Sequence, residues 1–129
     1  MSIKKNYYFA KDELFDICRS ITGLGIQKTL KLIKKKYKDL KIINFKSGQK
    51  VFDWKIPNEW NISDAYVLDP NNKKIIDFKI NNLHLVGYSI PINKLISKDE
   101  LIKKFHYIRN QKYAIPYVTS YYNLNWGFC

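Results

Sequence analysis

The hydrophobic pattern of this chain changes period near residue 39, and this change limits the folds available to it. Before that point, apolar residues recur at every third or fourth position, which is the period of an amphipathic helix. After it, short apolar runs are separated by Pro, Gly, Asn and Asp, which is typical of strands and turns. The 129 residues are enough for one domain, or for a small domain with an appendage. We therefore predict the α+β class, with N-terminal helices followed by a small, mostly antiparallel β-rich region.

Two helices are predicted before residue 39. The first spans Asp12 to Ile21 and carries acidic residues in its first turn, where the helix dipole favours them. Gly23 and Gly25 then predict a turn between helices. The second helix has an apolar stripe and a lysine-rich opposite face: Ile26, Leu30, Ile33 and Tyr37 form the stripe, and Lys28, Lys31, Lys34, Lys35 and Lys38 lie mainly away from it. We interpret the lysines as a solvated face, with phosphate binding by the run Lys34–Lys36 as the alternative.

The region after residue 39 is predicted to contain several strands and one short helix. Asp69-Pro70-Asn71-Asn72 has the turn chemistry of a β-hairpin. Ser97 and Glu100 have the spacing of a capping box, which predicts a helix from about Lys98 to His106. The predicted strands are residues 40–45, 51–56, 65–68, 74–78, 83–90 and 115–122, with a further strand beginning at residue 126.

The net charge of +12 does not by itself indicate a nucleic-acid partner. It comes from 21 lysines and only two arginines, whereas base readout and bidentate phosphate binding favour the guanidinium group. Lys, Ile and Asn make up 51 of the 129 residues, a bias that an A+T-rich genome would produce in any protein. We expect no nucleic-acid partner, and no membrane partner because no apolar run is long enough to span a bilayer.

The cysteine content and the N-terminal sequence predict a cytoplasmic protein. Two cysteines, Cys18 and Cys129, cannot form a disulfide scaffold, so we expect reduced thiols. The first residues lack the apolar stretch of a signal peptide. Cys18 lies on the apolar stripe of the predicted first helix, which favours a packing thiol over a nucleophile.

The sequence contains no self-sufficient catalytic or metal-binding motif. It has only two histidines, His84 and His106, whereas a catalytic zinc takes three protein ligands. We therefore assign no catalytic residue and no metal ligand to this chain, and we expect no cofactor bound by it. Asp53, between Phe52 and Trp54, is either a carboxylate with a raised pKa or a solvent-facing side chain. His84 either contributes to a site or is hydrogen-bonded within sheet packing.

Several blocks in a fixed order resemble one bacterial family. They are Cys18-Arg-Ser-Ile-Thr-Gly23; Ser47-Gly48 with Val51-Phe-Asp-Trp-Lys-Ile-Pro57, Glu59-Trp60 and Asp64-Ala-Tyr66; Asn82-Leu-His84 with Tyr88-Ser89; and Ile115-Pro-Tyr-Val-Thr-Ser-Tyr-Tyr122 with Trp126-Gly-Phe-Cys129. Together they cover essentially the whole chain. The chain resembles the N-terminal part of the aminopeptidase-like family that carries domains of unknown function 2172 and 4910, which often accompanies polysaccharide biosynthesis genes.

This resemblance implies an organisation in two parts. Residues 1–46 would be the helical edge and first strand of a zinc-aminopeptidase-like α/β domain, and residues 47–129 a β-rich inserted domain with one short helix, truncated at its C-terminal end. The family's His/Asp/Glu metal ligands would lie beyond Cys129. The chain would therefore be inactive alone, zinc would belong to the full-length family, and the partner would be the missing C-terminal part. Arg19, Asp53 and His84 are the candidate functional polar positions.

A second interpretation comes from a different class of protein. The chain would be a complete, small, basic binding module for an acidic glycan or nucleic acid, with Trp54, Trp60 and Trp126 exposed for stacking. Buried indoles would favour the aminopeptidase-like fragment, and three exposed indoles on one face beside lysines would favour the module. A homo-oligomer is left open by either interpretation.

Overall fold

The computed structural model describes residues 2–129 and confirms the α+β class. The chain divides into two compact units, residues 1–61 and residues 62–129, which we call the N-terminal and C-terminal units. The boundary predicted after residue 46 concerns an aminopeptidase-like domain and its insertion, and it stays a prediction. No helix among residues 2–129 is long and apolar enough to cross a membrane.

The N-terminal unit begins with two helices. Helix α1 spans Ile3–Phe9 and continues as a π-helical segment, Ala10–Leu14. The prediction of a helix over Asp12 to Ile21 is therefore wrong in its bounds. The helical segment ends at Leu14, and the Arg19 guanidinium donates to the Leu14 carbonyl beyond this end.

Helix α2 spans Leu24–Lys36 and confirms the second predicted helix. Its stripe residues Ile26, Leu30 and Ile33 are half-buried, while the predicted lysine face is exposed. The two helices are joined near the C-terminal end of α2. There the Tyr37 hydroxyl donates to Asn6 Oδ1 at 2.8 Å, and Lys36 Nζ lies 4.1 Å from the centroid of the Phe9 ring.

The predicted strand over residues 40–45 is wrong for the described chain. Within residues 2–129, the backbone of Lys41–Phe45 makes no backbone–backbone hydrogen bond, so no ladder forms there. The apolar residues of this segment favour a strand, but a strand also needs a neighbouring strand with which its backbone forms hydrogen bonds.

The single strand predicted over Val51 to Ile56 is instead a tight hairpin. Strand β1, Lys50–Val51, pairs antiparallel with strand β2, Trp54–Lys55, and Val51 faces Trp54 in the register. Phe52 and Asp53 form the turn, and Phe52 adopts a φ of 54°. A left-handed first turn residue is normally Gly, so the sequence pattern did not indicate a turn at this position.

The C-terminal unit starts with the predicted hairpin, which the structure confirms. Strand β3, Tyr66–Leu68, pairs antiparallel with strand β4, Lys74–Asp77. The Asp69 carboxylate accepts from the backbone N–H groups of Asn71 (2.8 Å) and Lys73 (2.9 Å), and Asn72 adopts a φ of 61°. The turn chemistry of Asp and Asn therefore sets this register.

Two ion pairs with half-buried carboxylates lie in or beside this hairpin, and they predict an acid-sensitive local structure. Lys74 Nζ lies 2.8 Å from Asp77 Oδ2, and Lys79 Nζ lies 3.0 Å from Asp64 Oδ2. Their hydrogen bonds to lysine hold the pKa values of Asp77 and Asp64 below the ordinary value of a carboxyl. A depressed pKa contributes stability above the unfolded-state pKa, about 4, and this stability is lost as the pH falls through the folded value.

We therefore expect amide exchange in β3 and β4 to accelerate as the pH falls below about 4, beyond the intrinsic pH dependence of exchange. The matched variant is Asp77→Asn, which removes one titrating group and should flatten this dependence. If the protection of the hairpin amides, corrected for the intrinsic exchange rate, were the same above and below about pH 4, this prediction would be contradicted.

The rest of the C-terminal unit contains short elements and isolated bridges. A 3-10 turn spans Asn82–His84, and helix α3 spans Lys98–Ile102 with the predicted capping box between Ser97 and Glu100. Helix α3 ends before His106, so its predicted C-terminal end is wrong. The strands predicted over 83–90, 115–122 and from 126 onward are reduced to single bridges, which pair Leu85 with Phe128, Gly87 with Thr119 and Phe105 with Phe128.

The buried apolar core lies in the C-terminal unit. It consists of Val86, Tyr88, Trp126 and Phe128, each at most 9% exposed. Among residues 2–61 of the N-terminal unit, only Gly23, Thr29 and Pro57 are buried. The larger apolar side chains of that unit are half-buried or exposed.

Candidate functional site

Arg19 caps the end of the first helical segment. Its guanidinium donates to the Leu14 carbonyl and lies 3.5 Å from the Ile17 carbonyl. The carbonyl groups of a last helical turn lack partners within the helix, so a guanidinium satisfies them well. The Arg19 side chain is exposed, and its contacts stabilise the local backbone.

Asp53 is exposed in the turn between β1 and β2. In the described part of the chain, ion pairs join Lys11 to Asp12, Lys74 to Asp77 and Lys79 to Asp64, and Asp53 and Arg19 are not paired with each other. The structure therefore does not bring these two candidate positions of the N-terminal unit together.

His84 is held by both ring nitrogens in the C-terminal unit. Nδ1 lies 2.7 Å from the Cys129 carbonyl oxygen, and Nε2 lies 3.3 Å from the Asn81 side-chain amide nitrogen. The neutral tautomer with the proton on Nδ1 satisfies both contacts, because Nδ1–H donates and Nε2 accepts. The Cys129 backbone N–H also donates to the His84 carbonyl at 2.8 Å. This geometry agrees with a histidine that is hydrogen-bonded in packing.

The two cysteines are not activated as nucleophiles. Burial raises the pKa of the Cys18 thiol, and the opposing attraction of Arg19 is the smaller effect. Burial likewise raises the pKa of the Cys129 thiol. Because the thiolate is the reactive form, both environments disfavour nucleophilic attack.

The described residues do not fit a catalytic zinc. No group of three or more His, Cys, Asp or Glu side chains in residues 2–129 is placed to hold a metal ion. A catalytic zinc needs three such ligands, and His84 already has a partner at each ring nitrogen. We therefore derive no hydrolytic step from these residues.

The sequence did not indicate a junction in which the start of α2 binds residues 58–61. The Thr22 hydroxyl donates to the Asn58 carbonyl at 3.1 Å and accepts from the Trp60 N–H at 3.3 Å. Asn61 Oδ1 accepts from the Leu24 N–H at 2.6 Å, so Asn61 caps α2 from 37 residues away. Capping is normally read from the residue just before a helix, which here is Gly23 and has no side chain.

Replacing Asn61 by alanine should destabilise the chain by about 1 kcal/mol, because the Leu24 N–H loses its acceptor. Urea unfolding monitored by circular dichroism measures the change. Asn61→Asp is the matched control, since it keeps an oxygen acceptor and places a negative charge at the helix N-terminus. Equal losses in the two variants would show that the side chain acts by packing rather than by capping.

The three tryptophans differ in exposure. Trp126 is 9% exposed, with Lys94 Nζ and Lys104 Nζ at 5.8 and 5.2 Å from its ring. Trp60 is half-buried, and Trp54 is 43% exposed. A stacking surface made of three exposed indoles is therefore not formed, because Trp126 belongs to the core.

Comparison with known proteins decides the family. The family described as "Domain of unknown function (DUF2172)" matches residues 59–129, which is more than half of the chain. The chain belongs to the DUF2172 family. This confirms the resemblance carried by the blocks from Glu59 to Cys129.

Two relatives of this DUF2172 chain come from Clostridium acetobutylicum. One, named "Putative polysaccharide biosynthesis protein with aminopeptidase-like domain", is 55% identical over 117 residues, which are 91% of this chain and 27% of that protein. The other is a crystal structure of a "putative peptidase". It matches with a TM-score of 0.87 and 52% identity, and the match covers 96% of this chain and 29% of that one. The chain thus spans little more than a quarter of the length of these relatives.

Proposed function

We propose that this chain forms the N-terminal part of an aminopeptidase-like protein that acts in polysaccharide biosynthesis. The observation that carries the proposal is the 55% identity along 91% of the chain to a protein with that description. At such identity the fold and the packing of the matched region are shared, as the TM-score of 0.87 to the second relative indicates. Because of this similarity, we propose that this chain takes part in the role described for its relative.

In this proposal the hydrolytic groups, and the zinc that they bind, belong to polypeptide beyond the matched region. The described residues supply no suitable ligand set, so the chain contributes structure rather than chemistry. Its partner is the remaining polypeptide of the same protein. The proposed arrangement keeps residues 1–46 as an edge of the aminopeptidase-like domain and residues 47–129 as its insertion.

Arg19, Asp53 and His84 remain proposed functional positions within this arrangement. Asp53 lies in the exposed turn between β1 and β2 and takes part in none of the ion pairs described above. Arg19 and His84 already make hydrogen bonds that stabilise local structure. Alanine at Asp53 therefore tests function with the least risk to folding.

The proposal is tested by hydrolysis of leucine 4-nitroanilide and by zinc analysis. We expect no turnover and no stoichiometric zinc for this chain alone, and chelator-sensitive turnover for the full-length relative. Turnover by the isolated chain that a chelator abolishes would contradict the proposed division of labour. A full-length relative that binds no zinc and cleaves no aminoacyl anilide would contradict the peptidase role.

The alternative of a basic module for acidic glycans or nucleic acid is less well supported. It needs exposed tryptophans beside lysines, and Trp126 is buried instead. Salt-sensitive, submicromolar binding of the chain to random DNA would favour the alternative.

A further inference from the structure

One residue of the core has a strained backbone. Tyr88 adopts a φ of 62°, in the left-handed region that a bulky residue rarely occupies. It is also 8% exposed, so the strain is not relieved at a mobile surface. Such conformations cost free energy and persist only where surrounding contacts enforce them, often at binding sites.

Contacts from residues 118–120 hold this strained turn in place. The Gly87 N–H donates to the Val118 carbonyl at 3.2 Å, and the Ser120 N–H donates to the Gly87 carbonyl at 3.0 Å. The Ser120 hydroxyl donates to the Tyr88 carbonyl at 3.2 Å. The turn and the segment after Val118 therefore position each other.

The result of this arrangement is an ordered group of tyrosines that reaches the surface. The Tyr88 ring packs edge-on against Tyr121, with centroids 4.9 Å apart, and Tyr122 lies 6.5 Å from Tyr121. The hydroxyl groups of Tyr117 and Tyr121 are 2.7 Å apart. Tyr117 is 83% exposed and Tyr122 is 58% exposed. The buried Tyr88, whose backbone is strained, therefore packs against a group of tyrosines with accessible rings.

The chemistry of these rings suits a sugar. A pyranose presents an apolar face of C–H groups, which stacks on an aromatic ring, and hydroxyl groups at its edge. The Tyr117 and Tyr121 hydroxyl groups share one hydrogen bond, so one of their two O–H hydrogens is not used by the pair. In the described part of the chain, no lysine or arginine lies over the Tyr117 or Tyr121 ring.

We propose that Tyr117, Tyr121 and Tyr122 form a binding surface for the pyranose rings of an uncharged oligosaccharide. The choice of a saccharide rests on the proposed role in polysaccharide biosynthesis, whereas the geometry stands independently of it. The site lies entirely within the C-terminal unit and requires none of the hydrolytic groups.

The test uses the full chain labelled with ¹⁵N and three neutral probes, cellohexaose, maltohexaose and chitohexaose, in separate titrations. At least one probe should shift the amide resonances of residues 117–122 in a saturable way. Tyr117→Ala should weaken that binding by about tenfold or more, the scale of losing one stacking ring. Tyr117→Phe should weaken it less, because it removes only the hydroxyl.

Tyr113→Ala is the matched control, since Tyr113 is 98% exposed and should leave binding unchanged. No saturable shift with any probe up to about 10 mM, well above a millimolar dissociation constant, would overturn the proposal. Equal weakening by Tyr113→Ala, or shifts with a single-stranded oligonucleotide alone, would also overturn it. Anilide hydrolysis is measured separately: a full-length protein that hydrolyses the anilide while the chain binds no sugar would overturn this inference only.

Discussion

Replacing Gly25 by alanine should destabilise the chain by about 2 kcal/mol, although alanine is the better helix former. Gly25 lies in the first turn of α2, where the backbone of residues 18 and 19 crosses closely. A Cβ at this position would overlap the Cys18 carbonyl oxygen and lie 2.9 Å from Arg19 Cα. Helix propensity alone predicts the opposite sign, a gain of up to about 1 kcal/mol, so the direction of the change is decisive.

Thermal unfolding monitored by circular dichroism measures this change. Lys31→Ala is the matched control, because Lys31 is exposed on the same helix and should change stability by less than about 0.5 kcal/mol. A Gly25→Ala variant as stable as the parent chain would contradict the close approach of the two segments.

Replacing Phe128 by alanine should cost about 3 to 5 kcal/mol, which is a large share of the stability of a domain of this size. Phe128 is 6% exposed, and its ring packs against Phe105 and Trp126 with centroids 6.1 and 6.3 Å away. Its backbone also joins two segments, because it accepts from the His106 N–H and donates to the Lys104 carbonyl, each at 2.8 Å.

Urea unfolding, with hydrogen exchange to locate the loss in the C-terminal unit, measures the Phe128→Ala effect. Leu124→Ala is the matched control from the same segment, since Leu124 is 89% exposed. Its cost should stay below about 0.5 kcal/mol. Similar costs for both variants would mean that Phe128 is not part of the core.

Local signals in the sequence predicted the elements that depend on local interactions. Helix α2, the hairpin around Asp69 and the Ser97 capping box were each predicted from residues close together in the sequence, and each is confirmed. The family resemblance was also recognisable, because its aromatic blocks recur in a fixed order.

The misplaced elements depend on interactions that a hydrophobic pattern does not encode. Residues 83–90 and 115–122 are predicted as strands, yet the structure pairs them only at single bridges. Phe52 and Tyr88 adopt positive φ values that no Gly or Asn signals. The Asn61 cap acts from 37 residues away, so no local motif indicated it.

The candidate polar positions were harder to predict than the fold. Arg19 and His84 were selected as polar residues in family blocks, and both make hydrogen bonds to backbone carbonyls, Arg19 to Leu14 and His84 to the distant Cys129. Whether a position serves function depends on groups brought to it by folding, and for Asp53 the described residues provide no such group. Their functional roles therefore stay predictions.

The central proposal is that this chain works as part of a longer aminopeptidase-like protein, and association with the remaining polypeptide tests this proposal most directly. The polypeptide of the Clostridium acetobutylicum relative outside the matched 117 residues would be mixed with this chain and examined by light scattering. We predict a one-to-one complex that unfolds at a higher temperature than the chain alone, because a partner that binds the folded state stabilises it. The proposal would be contradicted if the chain stayed a monomer that unfolds cooperatively, formed no complex with the added polypeptide and kept its unfolding temperature.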